Sequence, residues 1–165
     1  MTLDEIIQSR RSIRRYSSQP VEREKILACL EAARLAPSAE NVQPWRFLVI
    51  DEPELKEKVA RAAFSGIYAT SRFAAGAPVL VLMMARLDLL ANNLGRLVQG
   101  TQFYLLDLVS GGEHFVLKAE EQGLGTCWIG WFNLKAVRKV LDIPGKYRLV
   151  TMLSVGYAAS QPTRP

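Results

Sequence analysis

The chain is 165 residues long and 49% hydrophobic, enough for one compact core but short of two ordinary domains, so a single domain over residues 1–165 is expected. Charged residues make up 22% and form no long block of one sign, which argues against a disordered tail or a low-complexity segment. The net charge of +5 suits an anionic ligand as well as an ordinary basic surface, but its distribution is uneven: Arg10, Arg11, Arg14 and Arg15 fall within six residues.

Leu3, Ile6 and Ile7 lie at helical spacing behind Thr2, which predicts a short helix ending near Gln8 or Arg10, with the basic cluster at its end. That N-terminal stretch carries Asp4 and Glu5 and no apolar run of signal-peptide length. No segment reaches the roughly 18 apolar residues that crossing a membrane requires. Cys29 and Cys127 are too far apart for a CxxC knuckle and signal no disulfide framework. The expectation is a cytoplasmic protein with no membrane partner.

A second helix is predicted over Glu22 to Leu35, with Ile26, Leu27, Leu30 and Ala33 as its apolar stripe and Pro37 as its stop. The polar, turn-rich loop Pro37 to Pro44 leads into Trp45 to Ile50, a buried strand in which Trp45 and Phe47 belong to the core. Glu52 to Phe64 reads as helix and Val79 to Met84 as a second strand. The longest helical pattern runs from Gln102 to Gln122, with Tyr104, Leu108, Phe115 and Ala119 on one face. Gly111 and Gly112 inside it cost roughly 1 kcal/mol each against alanine, so they mark a kink or a close approach of another backbone, with a helix–helix contact, such as one between subunits, preferred. Leu124 to Ile129 is a third strand ended by Gly130, Asn133 caps a short helix through Leu141, and Arg148 to Gly156 is a fourth strand. This mixture without βαβ alternation or repeats predicts an α+β layered fold.

Gly123-Leu124-Gly125 is not a dinucleotide fingerprint, because it follows a helix, opens an apolar run, and has Trp128 where the third glycine belongs. There is no GxxxxGK[ST] and no GxSxG, and the single histidine, His114, with two separated cysteines offers no metal set. His114 is read as a polar-face or interface residue. A nucleic-acid-binding module is disfavoured, because aromatic residues are not interleaved with the basic ones and no nucleic-acid motif appears.

Three separated segments carry the functional signal. RRSIR at 10 to 14, APSAENVQPWRF at 36 to 47 and GLGTCWIG at 123 to 130 resemble, in order and approximate spacing, the N-terminal motif, the APSxxNxQPWxF loop and the late strand of the nitroreductase family. The resemblance covers most of the chain. It implies a mostly antiparallel central sheet flanked by helices in an intertwined homodimer with shared FMN sites, and electrons supplied by NADH or NADPH. It also implies a ping-pong transfer to a small-molecule electron acceptor, with nitroaromatics and quinones the acceptors the family points to. An enoate-type reductase, a dehalogenase-like enzyme, a flavin reductase and a flavin-binding relative with little turnover stay open beside it.

The residues admit physical readings of their own. Arg10, Arg11 and Ser12 offer two permanent cations and a hydroxyl that suit a phosphate monoester; the alternative is a solvated basic helix end, favourable to the dipole in any case. By resemblance, Arg14 approaches the pyrimidine edge of the flavin, where a fixed charge favours the anionic reduced form. Arg15 and Tyr16 are left as surface residues. Pro37, Ser38, Ala39 and Asn41 make a rigid hydrogen-bonding loop that is otherwise a helix stop and turn; the resemblance has it come from the other subunit and pack on the flavin. The resemblance also sets the backbone of Ile129 and Gly130 next to the flavin N5, where a residue without a side chain permits close approach; the alternative is a glycine ending a buried strand. Cys127 is read as packing. The resemblance implies further basic residues for the phosphate after the last strand: either Arg164 takes that role here or the phosphate is held less tightly, and Arg72 stands where some relatives place a flavin-contacting lysine. Residues 86–102, with Asn92, Asn93 and Arg96, are expected to supply substrate contacts or a lid.

Overall fold

The computed structural model describes residues 1–87 and 101–160. Helix α1 (Leu3–Ser9) opens with a capping box in which the Thr2 side chain accepts from the Glu5 N–H and Glu5 accepts from the Thr2 N–H. Helix α2 (Arg23–Arg34) ends at Leu35, two residues before Pro37. Its buried face is Ile26, Cys29 and Ala33; Leu27, expected in the stripe, is exposed, since it lies about 100° around the helix from Ile26.

Strand β1 (Trp45–Ile50) is followed by α3 (Pro53–Ala63), whose first two free N–H groups are taken by the Glu52 carboxylate. An eleven-residue 3₁₀ segment, Gly66–Gly76, comes next. Then follow β2 (Val79–Arg86), α4 (Phe103–Glu121), β3 (Gly125–Ile129), α5 (Leu134–Val140, with the Asn133 side chain accepting from Ala136) and β4 (Tyr147–Gly156).

The four strands form one antiparallel sheet in the order β1-β2-β4-β3. Residues of β2 alternate between two cores. Val79, Val81, Met83 and Ala85 pack with residues of α2 and α4, while Leu80, Leu82 and Met84 pack with residues of α3 and α5. A central strand covered on both faces must be apolar at every position, which is why Val79 to Ala85 reads as an unbroken run. The result is the α+β layered architecture with an antiparallel sheet between helices.

Helix α4 passes through Gly111 and Gly112 without interruption. A Cβ on Gly111 would lie 3.4 Å from the Ala33 carbonyl of α2, and one on Gly112 would collide with the Trp128 ring and lie 2.6 Å from Met83. The close approaches are therefore within the chain, to α2 on one side and to the sheet on the other.

Candidate functional site

After α1 the chain runs extended along the outer edge of β3. The Ile13 N–H donates to the Thr126 carbonyl at 2.8 Å, and Ser12 bridges Thr126 in parallel register. Gly125 makes this possible, since a Cβ there would sit 2.9 Å from Ile13 Cβ. Tyr16, expected at the surface, is instead a half-buried strut: its hydroxyl donates to the Ile13 carbonyl at 2.7 Å and lies 2.8 Å from Ser154 Oγ, and burial raises its pKa. Backbone bonds from Ser17 to Tyr157 and from Ala159 to Arg15 join the segment to the residues after β4. Arg15 is exposed, as expected.

The cluster divides. Arg11 directs Nη1 at the carbonyls of Gln8 and Arg10, both at 2.7 Å, and so neutralises the end of α1. Arg14, Ser12 and Arg10 act on the Cys127 thiol instead. Burial pushes that thiol's pKa up, against the Arg14 charge, a hydrogen bond with the Ser12 side chain and the Arg10 charge. Both cysteines are free and buried. Ser12 and Arg14 are exposed.

At the far end of β3, Ile129 buries its side chain and its carbonyl accepts from Thr151 Oγ1 at 2.9 Å. Gly130 is exposed, with open space where a Cβ would stand. The next residue, Trp131, meets the 3₁₀ segment, whose Tyr68 and Phe73 sequence reasoning missed. The Trp131 indole donates to the Ile67 carbonyl at 3.0 Å, its ring lies 5.1 Å from that of Tyr68, and the Arg14 guanidinium sits 5.8 Å from the centre of the Phe73 ring. Arg72 is exposed in the same segment.

The loop after α2 takes a tight path. Glu40, Asn41 and Gln43 have φ of 52°, 55° and 50°, in the left-handed region that non-glycine residues seldom occupy. The path is held by Asn41 N–H to the Ser38 carbonyl, Val42 N–H to the Ala39 carbonyl, and Gln43 N–H to Ser38 Oγ, each at 3.0 Å. The Ala39 N–H donates to Asp107 of α4 at 2.9 Å. Pro37 and Asn41 are exposed.

Sheet order separates this loop from the arginine cluster. The loop leads into β1 at one edge and the cluster lies on β3 at the other, three strand spacings or about 14 Å across. One chain thus joins Arg10, Ser12 and Arg14 to β3, and leaves Pro37, Ser38, Ala39 and Asn41 elsewhere. Arg164, and Asn92, Asn93 and Arg96 of the expected lid, lie outside the described residues. His114 is exposed, with its Nδ1 3.2 Å from the Ala32 carbonyl.

The profile of the nitroreductase family matches residues 7–157. A crystal structure of a nitroreductase family protein from Clostridium novyi NT is 30% identical, with a TM-score of 0.85, covering 100% of this chain and 89% of that one. The solved structure of an FMN-dependent nitroreductase from Clostridium difficile R20291 is 27% identical, with a TM-score of 0.79, covering 97% of this chain and 90% of that one. An NADH dehydrogenase of Thermus thermophilus is 29% identical over 178 residues, covering 92% of this chain and 84% of that protein.

Proposed function

The chain belongs to the nitroreductase family, and on that premise we propose that it is an FMN-dependent oxidoreductase that moves a hydride from NADH or NADPH to nitroaromatics, quinones or similar electron-poor acceptors in a ping-pong scheme. The observation that carries the proposal is the pairing of the segment 10–14 with the edge of β3, Ser12 against Thr126 and Ile13 N–H on the Thr126 carbonyl, with an exposed, side-chain-free Gly130 at the end of that strand.

The donor set fits the cofactor. Guanidinium and hydroxyl groups suit phosphate oxygens, and the exposed Gly130 backbone leaves room for a flat ring. FMN, when bound, supplies the electron-transfer chemistry at its N5. Arg10 and Ser12 would hold its phosphate, with Arg164 as a further cation, and Arg14 would stand at the pyrimidine edge, while Arg11 stays on the carbonyls that end α1. The backbone at Ile129 and Gly130 offers an N–H to the reactive ring and brings no side chain to obstruct the nicotinamide or acceptor.

A second copy of the chain completes the site in this reading. Pro37, Ser38, Ala39 and Asn41 of one protomer cover the flavin of the other, which resolves their separation within a single chain. Leu106 and Val109, 59% and 58% exposed on α4 beside that loop, supply apolar surface for such a homodimer. Among the described residues no helix is long and apolar enough to cross a membrane. Two buried free thiols accord with a reducing, cytoplasmic setting.

The test is the visible absorbance of the purified protein after incubation with FMN, followed by NADH or NADPH. Flavin peaks that bleach on adding either nucleotide support the reading; no flavin peaks overturn it. Turnover with a panel of acceptors then examines the substrate class, and failure of every nitro compound and quinone refutes that part.

A further inference from the structure

Among the described residues, Asp107 holds the buried side-chain polar atom that has no hydrogen-bond partner. The residue is 5% exposed on α4; Oδ1 accepts the Ala39 N–H at 2.9 Å, and Oδ2 is buried and unpaired. Burial raises its pKa, with the Ala39 N–H opposing. A carboxylate kept in that position costs folding free energy that an apolar residue of similar size would not. Its position on α4 is therefore not accounted for by stability.

What Oδ1 holds is the start of the loop from Pro37 to Gln43. That loop threads three non-glycine residues through the left-handed region, and such a path persists only where the surroundings over-determine it. The loop's own bonds join Ser38 to Asn41 and Gln43, and Ala39 to Val42, so they brace it internally. The bond from Ala39 to Asp107 ties it to a helix of the core. We propose that Asp107 is a positioning residue, which fixes the loop in the conformation that covers the flavin by accepting the Ala39 N–H. This rests on the reading of the loop given above.

Two substitutions remove the bond from opposite sides. Asp107→Ala deletes the acceptor. Ala39→Pro deletes the donor, at the first position of a 3₁₀ turn after an extended Ser38, where proline's fixed φ is tolerated. Asp107→Asn keeps an acceptor oxygen and removes the charge. Each variant is measured for FMN affinity by flavin fluorescence, for amide hydrogen exchange over residues 37–43 in the FMN-free protein, and for thermal midpoint.

The expected result is FMN binding weakened about tenfold or more in Asp107→Ala and Ala39→Pro, with loop exchange accelerated to a similar degree. Asp107→Asn restores both to near wild type, and the midpoints of the FMN-free proteins move by no more than about 4 °C. If Asp107→Ala does not fold, Ala39→Pro decides. Wild-type affinity and exchange in the bond-deleting variants overturn the proposal, and so does a loss in Asp107→Asn equal to that in Asp107→Ala. Should the wild-type protein itself take up no FMN, the flavin reading fails, while loop exchange still reports whether Asp107 holds the loop.

Discussion

Replacing Gly125 by alanine places a methyl group 2.9 Å from Ile13 Cβ and 3.1 Å from its Cγ2, where carbon atoms prefer roughly 3.5–4.0 Å. Ile13 is buried and cannot move outward freely, because its N–H is bonded to Thr126 at 2.8 Å. Overpacking of this kind costs about 1–3 kcal/mol, and breaking the backbone bond adds about 1 kcal/mol. A total of roughly 2–4 kcal/mol lowers the thermal midpoint of a domain this size by about 4–16 °C. Ile13 lies between Ser12 and Arg14, so the same displacement loosens FMN binding. The assays are urea denaturation, a thermal scan and flavin titration, with Gly145→Ala as control, since a Cβ at Gly145 meets nothing within 4 Å. Adding Ile13→Ala to Gly125→Ala should give less than the sum of the two losses, with a coupling of about 0.5–3 kcal/mol. A Gly125→Ala protein as stable as Gly145→Ala, with unaltered flavin affinity, refutes the packing of the arginine segment on β3.

Substituting both Arg10 and Ser12 by alanine should strip FMN from the protein; full flavin occupancy in the double variant, read from absorbance, shows that the phosphate end lies elsewhere. Burial holds the Cys29 thiol up at about 12 and raises that of Cys127, so a thiol reagent should label neither residue until denaturant is added; rapid labelling of the native protein contradicts that. Glu52 caps α3, and the N–H groups of Leu55 and Glu54 hold its pKa below the ordinary carboxylate value. Its contribution is present above the unfolded-state value and is lost as pH falls through the depressed folded-state value. Glu52→Ala should therefore lower the thermal midpoint at neutral pH, with the gap to wild type closing in acid; a gap independent of pH refutes the cap.

Local signals are sufficient wherever a side chain's partner is a near neighbour in the chain. Thr2 and Glu5 cap α1, Asn133 caps α5 and Pro37 follows the end of α2, because caps and stops act over about one turn. The apolar run of β2 is legible as a strand for the same reason. Which of its residues face α2 and α4 and which face α3 and α5 is not, since that depends on elements tens of residues away.

The same distinction governs the site. The arginine motif, the loop at 36 to 47 and the strand ending at Gly130 can be recognised from the sequence alone, together with the element order and an α+β class. Only the tertiary structure separates Arg11, spent on the end of α1, from Arg14 over the Phe73 ring, and only there does Tyr16 become a strut to Ser154. Asp107 looks in sequence like one polar residue on a long helix; its role appears when folding buries it against Ala39, 68 residues away. The physical reason is common to all of these. Backbone propensity is settled within a turn or a strand, whereas burial, charge and hydrogen-bond partnership are properties of contacts that exist only once sheet order has set which edges carry the loop and the cluster.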